Sequence, residues 1–530
     1  MTDGRMQDYA LTLNRFLDHA AKWHPEAEVV TGREGDVVGR TGYAALKARA
    51  LRVSAALAGL GVGMGDHVAT LAWNSQAHME AWYGIMGMGA VCHTLNPRLT
   101  PAALAGMLDQ SGARILIASA DLSLLVKQIS DRAGSLSRIL LIDGEPPACD
   151  AGRPGLPTGH LEALLDGAGG EPEWGGFPES APSGLCFTSG TTGHPKGVTY
   201  THRACYLHTL RQLQAEVMGL TAADTVLMVV PMFHANAWGL PFAAPAVGAR
   251  LVLPGRVTDG ASLARLIRAE GATMAVGVPT VWLGLLEHLE EAGGDVPTLE
   301  RIMVGGAPMA PALMDRLEQR LGITVQTSWG MTELSPLGVA APPGDPDRTA
   351  AVSGRPAVGI DLLLTDADGK PLPEQREVEG HLRVRGPTVV ERYFGHADAA
   401  TDADGWFDTG DLARIDRRGD LSITGRSKDL IKSGGEWINP NEIESLVAAL
   451  PAVSQAAVIG RPHPKWGERP ILVVELGEDD AVSDDALLEP LRGRVASWCI
   501  PDEIVRVPAM PLGPTGKIDK LTLRSEYGRG

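Results

Sequence analysis

Leu185-Cys186-Phe187 leads into six consecutive Thr, Ser and Gly residues, Thr188-Ser189-Gly190-Thr191-Thr192-Gly193, followed by His194-Pro195-Lys196-Gly197. Glycines let a loop turn its backbone N–H groups toward an anion, and hydroxyls add further donors. Lys196 adds charge, so the chemistry indicated is the handling of phosphate. The loop is not of the G-x-x-x-x-G-K-[ST] type, because Pro195 precedes the lysine and Gly197 follows it. It is a nucleotide-phosphate loop of another kind.

Four more constellations follow in the chain: Ser328-Trp329-Gly330-Met331-Thr332-Glu333, Trp406-Phe407-Asp408-Thr409-Gly410-Asp411, Gly425-Arg426-Ser427-Lys428-Asp429-Leu430-Ile431-Lys432-Ser433-Gly434-Gly435, and Pro514-Thr515-Gly516-Lys517-Ile518. With the phosphate loop, their order and spacing resemble the adenylate-forming superfamily over about residues 10–525. That superfamily holds acyl- and aryl-CoA synthetases, nonribosomal peptide adenylation domains and beetle luciferases. The resemblance implies that a carboxylate attacks the α-phosphorus of ATP, and that a thiol then displaces AMP from the acyl-adenylate. Such a site must neutralise phosphate charge and hold the reactants in line.

The resemblance also implies roles. Thr188, Ser189, Gly190, Thr191, Thr192, Gly193 and Lys196 would cradle phosphates. Glu333 would hold Mg²⁺, a hard cation suited to oxygen ligands, and Thr332 would bond the α-phosphate. Gly306, Ala307 and Pro308, with Ser328, Trp329, Gly330 and Met331, would form the adenine slot. Asp411 would accept both ribose hydroxyls, as one carboxylate can, and Arg426 would lie near ribose and phosphate. Lys517 would contact the carboxylate and α-phosphate during adenylation. Lys428 matches a hinge; after rotation about it, Lys432 and the Ser433-Gly434-Gly435-Glu436-Trp437 loop would replace Lys517 and admit CoA.

Pro231-Met232-Phe233-His234-Ala235-Asn236-Ala237-Trp238-Gly239 is similar to the aromatic-His motif of this superfamily, in a form close to fatty acyl-CoA synthetases and methylmercaptopropionate-CoA ligases. His234 would sit near the substrate carboxylate and the thiol path, or serve as a buried structural histidine. Trp238, Val278 and Gly305 join Gly306, Trp329, Gly330, Met331 and Pro279 as acyl-pocket candidates. Phe233-His234 stands where amino-acid-activating members carry Phe-Asp, which disfavours an ammonium-bearing substrate. Residues 461–469 supply three basic side chains and Trp466, read either as a grip on the CoA nucleotide or as an ordinary connecting loop.

The elements that must position these residues are legible as alternating strands and helices. Apolar runs at residues 68–72, 115–118, 139–142, 225–230, 250–253, 273–278 and 302–304 have strand length, with helical spacing between them at residues 45–60 and 76–89. The pattern predicts an α/β fold: a large N-terminal domain of layered α/β sheets with a small β-rich subdomain, and an α+β C-terminal domain that the resemblance implies is mobile. Short strands at residues 361–365, 381–384, 412–415 and 420–424 mark the subdomain, and the polar joint at 425–429 sets the division at residues 1–425 and 426–530. A chain of 530 residues suits that division.

With 64 acidic and 47 basic residues the net charge is −17, which argues against nucleic acid as a partner. Five scattered cysteines without a C-x-x-C pair suit a reducing cytoplasm. No secretory signal is expected, because no apolar stretch follows the charged N-terminus. Residues 225–249 lack Asp, Glu, Lys and Arg, but Pro231, Pro241 and Pro245 oppose a spanning helix, so no integral membrane span is expected. The leading expectation is an AMP-forming acyl-CoA synthetase using ATP, Mg²⁺, CoA and an apolar carboxylic acid, with a homodimer implied by the resemblance. Acyl-AMP transfer to a carrier protein or partner enzyme, luciferase-like oxidation and a non-catalytic binding protein are the alternatives.

Overall fold

Parallel strands covered by helices on both faces are apolar throughout, and the short runs Ile115–Ser119 and Arg138–Ile142 behave this way. The computed structural model describes residues 4–144, 151–169, 172–188, 195–477, 482–513 and 517–528. Among these, a seven-stranded sheet runs in the order Thr158–His160, Arg138–Ile142, Ile115–Ser119, His67–Leu71, Val91–Thr94, Pro182–Phe187 and Gly197–Thr201. The last pair is antiparallel and the remainder parallel.

A nine-stranded sheet holds Met274–Gly277, Arg301–Val304 and Thr324–Gly330 side by side in parallel, then returns antiparallel through Leu337–Ala340. Its helices are bounded by local chemistry. Gly260–Glu270 starts where the Asp259 side chain accepts from Ser262 N at 3.0 Å, and it stops at Gly271, whose φ of +62° suits a residue without Cβ. A four-stranded antiparallel sheet, Asp361–Thr365 to Leu421–Arg426, follows as the β-rich subdomain.

Beyond it, Val453–His463 and Gly467–Leu476 form a long hairpin buried on both faces. Val458, Leu472 and Val474 pack toward the Pro440–Ala448 helix, while Ala457, Ile459, Ile471 and Val473 pack toward Leu523. The alternation of side chains along a strand produces these two separate cores.

Three differences from the sequence expectations have local causes. Glu28–Arg33 and Asp36–Gly42 form an unexpected hairpin on the edge of the nine-stranded sheet. Its signal is Val29-Val30 and Val37-Val38 about Glu34-Gly35, where both turn residues have positive φ. Thr324–Gly330 is also a strand, its apolar positions interrupted by Gln326 and Ser328. Residues 461–469 are two strand ends and a tight turn, not an open loop. Arg461 is engaged by Glu503, and Arg469 pairs with Asp502 at 2.7 Å.

The charge-free residues 225–249 divide into the Thr225–Met228 strand, the Ala235–Gly239 turn and the eight-residue Leu240–Val247 helix. No helix among the described residues is long and apolar enough to cross a membrane.

Asn74 joins the two large sheets. Its Nδ2 donates to Met228 O at 2.9 Å and to Val230 O at 2.8 Å, while Oδ1 accepts from Met232 N at 2.7 Å. The residue is buried, so Asn74→Ala would leave these backbone groups without partners. Urea unfolding should show a loss of about 3 kcal/mol, given the cost of stranding buried polar groups.

Candidate active site

The phosphate loop is closed at its neck. Thr188 N donates to Lys196 O at 2.9 Å, and Lys196 N donates back to Thr188 Oγ1 at 3.2 Å. These bonds extend the antiparallel pairing of Pro182–Phe187 with Gly197–Thr201, so loop and lysine sit at the end of a buried sheet. Ser189, Gly190, Thr191, Thr192 and Gly193 lie outside the described residues. Gly197 is required by packing, since a Cβ there would meet Phe394 Cβ at 2.9 Å.

The Thr324–Gly330 strand delivers the second group. After it the chain tightens into a 3₁₀ turn, Thr332–Leu334, in which Thr332 and Glu333 are both buried. Tyr200 OH donates to Thr332 O at 2.9 Å, tying this turn to the strand that returns from the phosphate loop. Tyr393 OH donates to Glu333 Oε1 at 2.9 Å, and no hydrogen bond falls on Oε2 among the described residues. Gly330 admits the close approach of Pro336 O, 2.3 Å from where a Cβ would stand, and Met331 N donates to that same oxygen at 3.0 Å.

Asp411 lies inside the Phe407–Ile415 strand rather than in an isolated turn. It is buried, and its Oδ2 accepts from Trp329 Nε1 at 3.0 Å. Arg426 Nε is 2.7 Å from Oδ1, but off the axis of a hydrogen bond, so that oxygen retains its accepting capacity. Burial raises the carboxyl pKa, opposed by Arg426, the Trp329 bond and Lys517. Trp329 is thus a positioning partner of Asp411, with its ring against Gly338.

Gly305, Gly306, Ala307 and Pro308 follow the Arg301–Val304 strand, and Ser328 Oγ donates to Val304 O at 2.9 Å. Trp238 covers the two glycines: its ring lies 3.0 Å from where a Cβ on Gly305 would stand, and Val278 lies 3.4 Å from the equivalent point on Gly306. Ala235, Asn236, Ala237 and Trp238 all have φ between 42° and 54°, a left-handed turn that costs non-glycine residues energy. Asn236 donates to Cys205 Sγ at 3.2 Å and Gln212 donates to Trp238 O, which hold the turn in place. His234 starts it, and burial together with Lys517 lowers its pKa to about 4, so the ring is neutral at pH 7.

Lys517 arrives from the far end of the chain. Gly513 N donates to Lys517 O at 2.7 Å, which closes a second lysine loop whose Pro514, Thr515 and Gly516 lie outside the described residues. Lys517 is exposed as a residue, and its ammonium lies among other charged groups. Burial of that end, with Arg426 and Lys428 nearby, lowers its pKa to about 8 against the pull of Asp411 and Glu333.

Lys517 acts electrostatically on Asp411, Arg426, Glu333 and His234, and Arg426 Nε stands 2.7 Å from Asp411 Oδ1. Lys432 does not join them in this arrangement. It lies on the exposed Ile431–Ser433 and Glu436–Ile438 hairpin, where its Nζ stands 5.2 Å from the Trp437 ring and Gly434 and Gly435 make the turn. Tyr200, Tyr393 and Trp329's grip on Asp411 are not apparent from local sequence. Only the in–out alternation at Val198 and Tyr200 hints at one of them.

Among the described residues no group of three or more His, Cys, Asp or Glu could cage a metal. A single buried carboxylate with one uncommitted oxygen suits Mg²⁺, which binds through few protein oxygens together with phosphates.

A model of the AMP-binding enzyme family matches residues 17–394, and one of the AMP-binding enzyme C-terminal domain matches residues 442–517. The chain is similar to 3-methylmercaptopropionyl-CoA ligase of Ruegeria lacuscaerulensis, at 41% identity over 99% of this chain and 98% of the relative. It is similar to medium-chain-fatty-acid–CoA ligase of Ectopseudomonas oleovorans, at 38% identity over 99% of this chain and 97% of the relative. The ATP-bound crystal structure of MatB from Rhodopseudomonas palustris matches with a TM-score of 0.85 and 26% identity, over 98% of this chain and 99% of that one. A match that spans most of the chain and both its large sheets has one meaning: this protein belongs to the AMP-binding enzyme family.

Proposed function

We propose that the chain is an ATP-dependent acyl-CoA synthetase that activates an apolar carboxylic acid as acyl-AMP and transfers it to CoA, releasing pyrophosphate and then AMP. The observation that carries this reading is that Lys517, from the C-terminal end of the chain, interacts electrostatically with both Asp411 and Glu333. A carboxylate and a triphosphate repel each other, and a fixed ammonium between them lowers that barrier. Transfer to a carrier protein is the weaker reading, because the full-length relatives are named as CoA ligases.

In this reading the phosphate loop and Lys196 hold the phosphates, Thr332 bonds the α-phosphate, and Asp411 takes the ribose hydroxyls. Residues 305–308 and 328–331 enclose adenine. Glu333 would hold Mg²⁺, which when bound supplies charge that polarises the phosphate oxygens. Neutral His234 orients the substrate carboxylate as a hydrogen-bonding group. Trp238 across Gly305 and Gly306 favours short acids.

We assign residues 1–425 to the adenylating domain and 426–530 to a lid that turns near Lys428, a division supported by the separate apolar cores beyond Ile431. The turn would exchange Lys517 for Lys432 and the residues 433–437, whose glycines leave room for pantetheine. A cytoplasmic location is supported by four described cysteines that are free and buried. A homodimer is part of the same proposal and rests on the family resemblance.

The test is product mass analysis over a panel of acids with and without CoA; acyl-AMP that is never passed to CoA would overturn the transferase half. In Trp238→Ala, kcat/KM should shift toward longer acids by about tenfold or more, since a few buried methylenes are worth that much. Lys517→Ala should abolish adenylation yet spare thioester formation from supplied acyl-AMP, and Lys432→Ala should do the reverse. Equal loss of both half-reactions in each variant would sink the two-state assignment. Adenylation kcat/KM should also fall as pH rises through about 8, because the free enzyme's Lys517 loses its proton there. A Lys517→Arg variant should lack that limb.

A further inference from the structure

Residues 388–394 form an irregular strap between the Glu379–Arg385 and Phe407–Ile415 strands. Two backbone bonds pin it to separate parts of the site. Val390 N donates to Glu333 O at 2.8 Å, and Phe394 N donates to Gly197 O at 2.8 Å. The strap is anchored in turn, because Thr388 O accepts from Ser335 Oγ at 2.9 Å and Thr388 Oγ1 accepts from buried Arg211 at 3.3 Å.

Tyr393 stands between these pins. Its hydroxyl donates to Glu333 Oε1 at 2.9 Å, and Lys196 Nζ lies 4.7 Å from the centre of its ring. One half-buried side chain therefore touches both the carboxylate and the phosphate-loop lysine, which arrive from different sheets. The two contacts use different parts of the tyrosine: the hydroxyl is a hydrogen-bond donor, while the ring face attracts a cation. The hydroxyl occupies one oxygen of the carboxylate, and no hydrogen bond falls on the other among the described residues. Partners of this kind orient metal ligands and tune them.

We propose that Tyr393 is a positioning residue for the metal–nucleotide complex. Its hydroxyl sets the Glu333 carboxylate for Mg²⁺, and its ring seats Lys196 for the phosphates. This rests on the reading of Glu333 and Lys196 given above. The strap makes the two settings interdependent, since it is bonded to the backbone beside each residue.

The experiment is calorimetric titration of the full chain with α,β-methylene-ATP, first without metal and then across a series of MgCl₂ concentrations. Tyr393→Phe keeps the ring and removes the donor. It should raise the MgCl₂ needed for half-maximal tightening by about tenfold, with metal-free nucleotide affinity and the KM for the acid unchanged. Tyr393→Leu should show the same rise and also weaken metal-free binding by about threefold, the value of an exposed cation–π contact.

Glu333→Gln is the control that separates the proposal from the reading beneath it. If Glu333→Gln removes the magnesium effect while Tyr393→Phe titrates like the parent, the role of Tyr393 is refuted and that of Glu333 stands. If Glu333→Gln leaves the magnesium series unchanged, the metal assignment fails and the proposal with it. Equal weakening of Tyr393→Phe with and without magnesium, alongside a lowered melting temperature, would mark a merely structural tyrosine and also overturn the proposal. The Tyr393→Phe arm decides the matter alone should Tyr393→Leu not fold.

Discussion

A buried carboxylate is costly unless the surrounding structure supplies charge and donors, and Asp411 is such a group. Its two oxygens gather the Trp329 indole from the nine-stranded sheet and the Arg426 guanidinium from the end of the subdomain. Lys517, from the C-terminal part, adds its charge nearby. Desolvating one ion costs several kcal/mol, and Arg426 is partly exposed, so the ion pair alone would not offset burial. The Trp329 hydrogen bond and Lys517 therefore matter to where the carboxylate can sit. Oδ1 is left without a hydrogen-bond donor among the described residues.

The same economy of charge operates at the phosphate side. A chain with net charge −17 repels a polyanion as a whole, so it must concentrate its cations. Lys196 and Lys517 each stand at a neck closed by a backbone bond, the first with Thr188 and the second with Gly513. Closing the neck fixes the lysine's backbone while leaving the long side chain able to follow a reacting group. Burial, with Arg426 and then Lys428 nearby, makes the Lys517 proton easier to lose.

Rigidity elsewhere complements that mobility. Asn74 fixes one large sheet to the other, and the left-handed turn at residues 235–239 is held by Asn236 and Gln212 from buried positions. Trp238 and His234 are carried on this strained turn, so the residues proposed for the acyl pocket and for the substrate carboxylate are placed by one local feature. The exposed Lys432–Trp437 hairpin, by contrast, packs mainly within its own part of the chain.

The sequence by itself determined the elements and the motifs. Apolar runs at strand length, such as residues 115–118 and 139–142, had to be buried strands, and the motif from Thr188 to Lys196 was legible because its residue types are contiguous. Some strands were harder to read: the hairpin of Glu28–Arg33 and Asp36–Gly42 and the strand Thr324–Gly330 carry weak or mixed alternation, and neighbours distant in the chain stabilise them in the sheet. Only the tertiary structure decided that Trp329 grips Asp411, that Tyr393 spans Glu333 and Lys196, and that Lys517 rather than Lys432 faces the site. Those relations join residues from different sheets or from opposite ends of the chain, and no local spacing encodes a contact that exists only when separate elements meet.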